Sequence, residues 1–196
     1  MSVVEDKERR LEYVERLEDP PVAQALFESV RWAWLWVLLR LYAGWQWTEA
    51  GWGKIGEEAW TGDNAGAAIT GFVQGALEET GGANPDVQGW YAWFLENVVL
   101  PNAGLWGYMV AYGELLVGIA LILGIFTGIA AFFGAFMNMN YLLSGAVSSN
   151  PILLVIAVFL ILAWKTAGWW GLDRWVLPVL GTPWSPGLVF REEAAT

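Results

Sequence analysis

The stretch RWAWLWVLLRLYAGWQWTEAGWGKI, residues 31–55, decides the fold of this 196-residue chain. It is long enough to cross a bilayer, because a spanning helix needs roughly 20 residues at about 1.5 Å of rise each. It is rich in tryptophan, yet Arg40, Gln46, Glu49 and Lys54 lie within it. A charge inside a membrane helix costs roughly 3 kcal/mol or more. The rest of the chain must therefore supply partners for these groups.

Three further apolar runs follow, at residues 105–124, 126–144 and 150–164. The chain is 56% hydrophobic, which is too apolar for an ordinary soluble domain. The links between the last three runs are very short, so consecutive helices must be antiparallel neighbours. The sequence predicts an all-α integral membrane protein, a bundle of four transmembrane helices.

A long connection, residues 56–103, separates the first two runs. It is expected to carry two short helices, 65–79 and 87–99, the second rich in aromatic residues. Neither is long enough to span, and aromatic-rich short helices usually lie at the membrane–water interface. A new span is expected to start at Pro101-Asn102. The predicted organisation has three parts: a cytoplasmic acidic, amphipathic N-terminal segment (1–29), a membrane domain (30–184) and a C-terminal tail (185–196).

The distribution of basic residues predicts the orientation. Arginine and lysine flank the bundle at its N- and C-terminal sides, whereas the only basic residue beside the long connection is Lys54, just before it. Because cytoplasmic loops are enriched in these residues, both termini of this multi-pass cell-membrane protein are predicted to be cytoplasmic and the long loop external. The net charge of −10 with only three lysines is typical of a halophilic protein.

The chain contains no cysteine and no histidine. This composition excludes disulfides, thiol catalysis, iron–sulfur ligation, the common haem ligands and ordinary zinc sites. We therefore expect no metal and no haem, and any redox chemistry must use a diffusible cofactor or a partner protein.

The polar residues of the predicted spans fall on definite helix faces at 100° per residue. In the first span Tyr42, Gln46 and Glu49 share one face, and Arg40 and Lys54 lie roughly opposite. Small residues surround Glu114 in the second span, which permits close helix approach. Gly53 also lies on the face of Glu49, and Gly44, Trp47 and Gly51 also lie on the face of Arg40. In the third span Gly134, Asn138 and Tyr141 share a face.

Two interpretations of these polar groups stay open. In the first, Arg40 pairs with Glu114 across two helices and the asparagines hold helices together. In the second, the same groups line a polar pocket, since ionisable residues inside a membrane are functional candidates by default.

Four motifs in this order resemble the DoxX/DoxD family. They are RLYAGWQWTEAGWGK at 40–54, YGELLVGIALILG at 112–124, NMNY at 138–141 and WGLDR at 170–174. The resemblance implies a four-span membrane protein tied to quinone-linked redox metabolism. DoxD-type members act as a subunit of thiosulfate:quinone oxidoreductase together with a second subunit, DoxA. Whether this chain is catalytic alone stays open.

The first functional hypothesis is a membrane subunit of a quinone-linked oxidoreductase with a pocket inside the bundle. Glu49 and Glu114 are the candidate catalytic proton carriers. Thiosulfate is a possible reductant, on the expectation that Arg40 and Lys54 place positive charge near the outer face. The candidate quinone- or substrate-binding residues are Arg40, Gln46, Lys54, Asn138, Tyr42 and Tyr141.

Two other functions remain as alternatives. One is a non-catalytic accessory or scaffold subunit of a respiratory membrane complex, favoured by the lack of an intrinsic redox group. The other, less favoured, is a small-solute transporter. The expected partners are the lipid bilayer, a quinone, and other redox subunits or further copies of the chain, without nucleic acid.

Overall fold

A computed structural model describes residues 19–182 and 185–189, and this part of the chain is mainly helical. Most of the predicted amphipathic N-terminal segment (1–29) falls outside these residues. The α-helices are α1 (Pro21–Ala23), α2 (Ala33–Lys54), α3 (Ala67–Glu78), α4 (Gly89–Phe94), α5 (Ala103–Leu123), α6 (Thr127–Leu143), α7 (Asn150–Leu162), α8 (Trp164–Ala167) and α9 (Asp173–Leu180). Two strands of two residues each, β1 (Gly181–Thr182) and β2 (Ser185–Pro186), pair antiparallel.

Four longer helices, α2, α5, α6 and α7, lie where the four apolar runs predicted them. Among the described residues, one continuous helical run, Gly89–Leu123, has the length and composition of a membrane span. Helix α7 is apolar but has only 13 residues. At about 1.5 Å per residue it is shorter than the roughly 30 Å hydrocarbon core of a bilayer.

The regular α-helix of the second span begins at Ala103, directly after Pro101-Asn102 as predicted, but the residues before it are helical as well. Helix α4 continues through a π turn, Leu95–Val99, and a 3₁₀ turn, Leu100–Asn102, into α5. Proline lacks an N–H and crowds the preceding turn of a regular helix. Departures from regular α geometry at such a position keep the helix continuous.

Helices α2 and α5 approach each other closely through small residues. A methyl group added to Gly51 would overlap the backbone of Leu115, and one added to Gly118 would overlap Thr48. The predicted small face of α5 is confirmed, because Gly107, Ala111, Glu114, Gly118 and Leu121 are all buried. This contact brings the polar groups of α2 and α5 together.

The long connection folds onto the bundle and has a core of its own. Ile69 and Val73 of α3 pack with Tyr91, Leu95 and Val99. The two helices predicted within the connection are confirmed as α3 and as α4 with its π turn. Trp90 and Trp93 remain more than half exposed on the outer side. The connection thereby covers one end of α5 and α6.

Candidate functional site

Three side chains from α2, α5 and α6 form a hydrogen-bonded cluster, which we call the acid cluster. The Lys54 ammonium donates to Glu114 Oε2 at 2.6 Å, and the Tyr141 hydroxyl donates to Glu114 Oε1 at 2.5 Å. Glu114 is 2% exposed. Lys54 Nζ also donates to the carbonyl of Ala50 at 3.1 Å. The buried carboxylate is therefore balanced by one ammonium and held by one phenol.

The acid cluster borders a cavity of about 290 Å³, the polar cavity. Glu114 and Tyr141 line it, and exposed Glu49 lies on its wall. The remaining lining residues are Gln46, Trp47, Ala50, Ser149, Asn150 and Leu153. Glu49 and the buried carboxylate of Glu114 therefore border the same polar space.

On its other side Tyr141 lines a second cavity of about 120 Å³, the aromatic slot. Phe72 meets the Tyr141 ring edge-to-face, with ring centroids 6.2 Å apart. The slot lies between the folded connection and helices α5 and α6. Its other lining residues are Trp60, Ile69, Val73, Tyr91, Phe94, Leu95, Val99, Trp106, Val110, Phe136, Met137, Asn140 and Ser144. Tyr141 therefore separates a polar space from an apolar one.

Beside the aromatic slot lies an apolar groove of about 460 Å³ between α5 and α6, the lateral groove. The two spaces share four lining residues: Trp106, Val110, Phe136 and Met137. Leu116 and Phe133, which also line the groove, are more than half exposed. The groove is thus open along the outer surface of the helices, and the four shared residues separate it from the slot.

The predicted ion pair between Arg40 and Glu114 is wrong. Arg40 Nη1 donates to the carbonyls of Leu121 and Ile122, at 2.8 and 3.1 Å. Arg40 and Lys54 are 14 residues apart on α2, about 21 Å of helix rise. The carbonyls at the end of a helix lack intrahelical partners and carry partial negative charge, which suits a guanidinium. Arg40 therefore belongs to the opposite end of the bundle.

Asp173 completes this second polar centre, the helix-end clamp. Its carboxylate accepts from the backbone N–H groups of Phe126 and Thr127, at 2.6 and 2.9 Å, where α6 begins. The charge of Asp173 also attracts Arg40. The N–H of Asp173 donates to the Gly124 carbonyl at 2.8 Å. Sequence reasoning gave Asp173 no role, although the WGLDR motif was the available signal.

The other predicted site residues are dispersed. Gln46 and Glu49 line the polar cavity, as their shared face predicted, and the Glu49 side chain is exposed. Tyr42 is 46% exposed on α2 and lines neither the polar cavity nor the aromatic slot. Asn138 is fully buried, and neither its Oδ1 nor its Nδ2 has a hydrogen-bond partner among the described residues.

The expectation that Arg40 and Lys54 together place positive charge near the outer face is wrong. Arg40 lies about 21 Å of helix rise from Lys54, and the Lys54 charge is already balanced by Glu114. The polar cavity instead carries two carboxylates, Glu49 and Glu114. This arrangement does not favour an anion such as thiosulfate.

A family model gives the relationship of the chain to known proteins. The DoxX model matches residues 35–144, which is more than half of the chain. The chain belongs to the DoxX family. No curated protein and no solved structure matches it. DoxX is a family of membrane proteins often linked to quinone oxidoreductases.

The DoxX match contains the whole acid cluster and excludes Asp173 of the helix-end clamp. As part of a membrane family, the chain has a lipid bilayer as its surroundings. The exposed apolar side chains of α5 and α6, among them Leu116 and Phe133, are suited to that apolar solvent.

Proposed function

We propose that this DoxX chain is a four-span membrane subunit that binds a quinone beside Tyr141 and conducts protons to it through Glu114. Both termini are cytoplasmic in this proposal, and the folded connection is external. The observation that carries it is the position of Tyr141, which lines the polar cavity and the aromatic slot and donates a hydrogen bond to Glu114.

The shape of the apolar space suits a flat head with a long hydrocarbon tail. The aromatic slot alone, at about 120 Å³, is smaller than ordinary ligand pockets of roughly 300–1,000 Å³. It adjoins the lateral groove, about 460 Å³, which opens on the outer surface, and the two share four lining residues. Rotation of those side chains would join the two spaces. A tail in the groove would bring the head to the slot, where the Tyr141 hydroxyl could donate to a ring carbonyl.

The acid cluster provides a route for protons. The single hydroxyl proton of Tyr141 is donated to Glu114, so it turns toward the slot only after a proton that arrives by way of Glu49 has protonated Glu114. Tyr141 then gives its proton to the quinone, and the Glu114 carboxyl returns one to the phenolate oxygen. Glu49, exposed on the wall of the polar cavity, collects protons from water. Lys54 keeps Glu114 in place and balances its charge. The electrons come from a separate redox protein, since the chain has no cysteine or histidine to bind the common redox centres.

An accessory subunit without a quinone is the competing function. It is favoured by the saturated Lys54–Glu114 pair, because buried ion pairs also occur as purely structural elements. It predicts that changes at Tyr141 affect stability alone.

The variant Tyr141→Phe separates the two functions. It keeps the ring and removes the hydroxyl, so we expect a modest stability loss of about 1 kcal/mol. Proton uptake coupled to quinone reduction in the assembled complex should fall at least tenfold. Tyr112→Phe is the matched control, because Tyr112 is exposed on α5 and lines neither space. Unchanged proton uptake in folded Tyr141→Phe protein would contradict the proposal.

A further inference from the structure

A third cavity of about 320 Å³ lies beside the helix-end clamp, at the opposite end of the bundle from the acid cluster. We call it the terminal cavity. It is formed where α6 begins, where α7 ends, and by α9 with β1. Its walls are Phe126, Gly128, Ile129, Phe132, Ile161, Trp164, Leu177 and Gly181, with Thr127, Asp173 and Thr182 as the polar members.

Two hydroxyl groups at this cavity lack partners among the described residues. Thr127 is fully buried, and its Oγ1 has no hydrogen-bond partner. The same holds for Oγ1 of Thr182, across the cavity on β1. A buried hydroxyl left unpaired costs roughly 1–3 kcal/mol. Two such groups at the wall of one open space indicate that a molecule there supplies the missing bonds.

The charge at the wall restricts what that molecule can be. The carboxylate of Asp173 accepts from the N–H groups of Phe126 and Thr127, so the end of α6 that could attract an anion is already neutralised. Among the described residues that line the cavity there is no lysine or arginine. A negatively charged head would meet the Asp173 carboxylate, and Arg40, the cation that Asp173 attracts, does not line the cavity. A neutral head avoids this repulsion.

The access route restricts it further. Ile129 and Phe132 line the cavity and are 57% and 56% exposed, on the apolar outer side of α6. In a membrane protein such a surface faces lipid, so the cavity opens toward the bilayer. We infer that the terminal cavity binds a neutral membrane amphiphile whose head carries hydroxyl or carbonyl oxygens. Thr127 and Thr182 hydrogen-bond that head after a rotation about one side-chain bond.

The test measures binding of three probes to the full chain in lipid nanodiscs. A monoacylglycerol and a short-chain quinone represent the two sources of a neutral head, and a fatty-acid anion of equal chain length is the charged comparison. We expect a neutral probe to raise the melting temperature and to bind at least tenfold more tightly than the anion. The double variant Thr127→Val/Thr182→Val should bind that neutral probe about tenfold more weakly.

Stability without added amphiphile provides the second readout. Because the hydroxyls are unpaired in the protein, Thr127→Val should leave the melting temperature unchanged or raise it. Thr48→Val is the matched control, since the Thr48 hydroxyl donates to the Gly44 carbonyl at 2.7 Å on another helix. It should leave neutral-probe binding unchanged. Three results would overturn the inference. The first is equal binding of all three probes, and the second is no binding of either neutral probe. The third is binding of the neutral probe by the double valine variant as tight as by the unaltered protein.

Discussion

The helix-end clamp and the acid cluster each place a buried charge between helices, but they connect it differently. At the clamp, Arg40 and Asp173 bond to backbone groups at the end of α5 and the start of α6. In the acid cluster, Lys54, Glu114 and Tyr141 bond mainly to one another. A charge held by backbone fixes helix ends and has no free path for protons. The Glu114 carboxylate is held by side chains and lines the polar cavity, so it is not tied to a helix end.

The largest expected effect is at the clamp. Arg40→Leu removes the donor to the Leu121 and Ile122 carbonyls and the cation near Asp173. Leaving a buried charge without its partner costs roughly 3–5 kcal/mol. We therefore expect a large drop in the melting temperature of the purified protein. Arg40→Lys is the control and should recover part of the loss, because it keeps the charge without the full geometry. Near-normal stability of Arg40→Leu would contradict a structural role for the clamp.

The acid cluster should lose less stability and show coupling. Glu114→Leu leaves the Lys54 ammonium without its carboxylate, at an expected cost of about 2–4 kcal/mol because Lys54 is only part-buried. The double change Glu114→Leu/Lys54→Leu should recover part of it. Chemical denaturation of the four members of this double-mutant cycle gives the coupling energy. The combination Glu114→Leu/Arg40→Leu serves as the control and should be additive. Coupling between Arg40 and Glu114 instead would contradict the arrangement of the two centres.

The smallest stability effect is expected at Glu49. Its side chain is exposed on the wall of the polar cavity, so Glu49→Gln should change the free energy of unfolding by less than about 0.5 kcal/mol. If Glu49 collects protons for the acid cluster, quinone-linked turnover should nevertheless fall. The exposed carboxylate of Glu57, which lines neither the polar cavity nor the aromatic slot, provides the control Glu57→Gln. If turnover in Glu49→Gln is unchanged, Glu49 does not collect protons for the acid cluster.

The sequence predicted the helices and their faces better than the pairing of charges. Apolar runs and glycine spacing located α2, α5, α6 and α7 and the buried side of α5, because these depend on local periodicity. The partner of Arg40 could not be predicted in this way. It is a set of backbone carbonyls more than 80 residues away, and carbonyls have no residue type to recognise.

The cavities were also beyond sequence reasoning. The aromatic slot exists because the connection folds back onto α5 and α6, and this depends on long-range packing of Tyr91 and Leu95 against α3. The same tertiary contact explains why Tyr141, predicted only as one of several binding residues, lies between two spaces.

Photolabelling by a quinone that carries an azide on its ring tests the central claim most directly. The label is applied to the assembled complex in lipid, and modified peptides are identified by mass spectrometry. We expect modification of residues around the aromatic slot, such as Trp106, Met137 and Tyr141. An excess of unlabelled quinone should suppress this modification. Labelling found only at the terminal cavity would contradict a quinone site beside Tyr141. Labelling that unlabelled quinone does not reduce would contradict it as well.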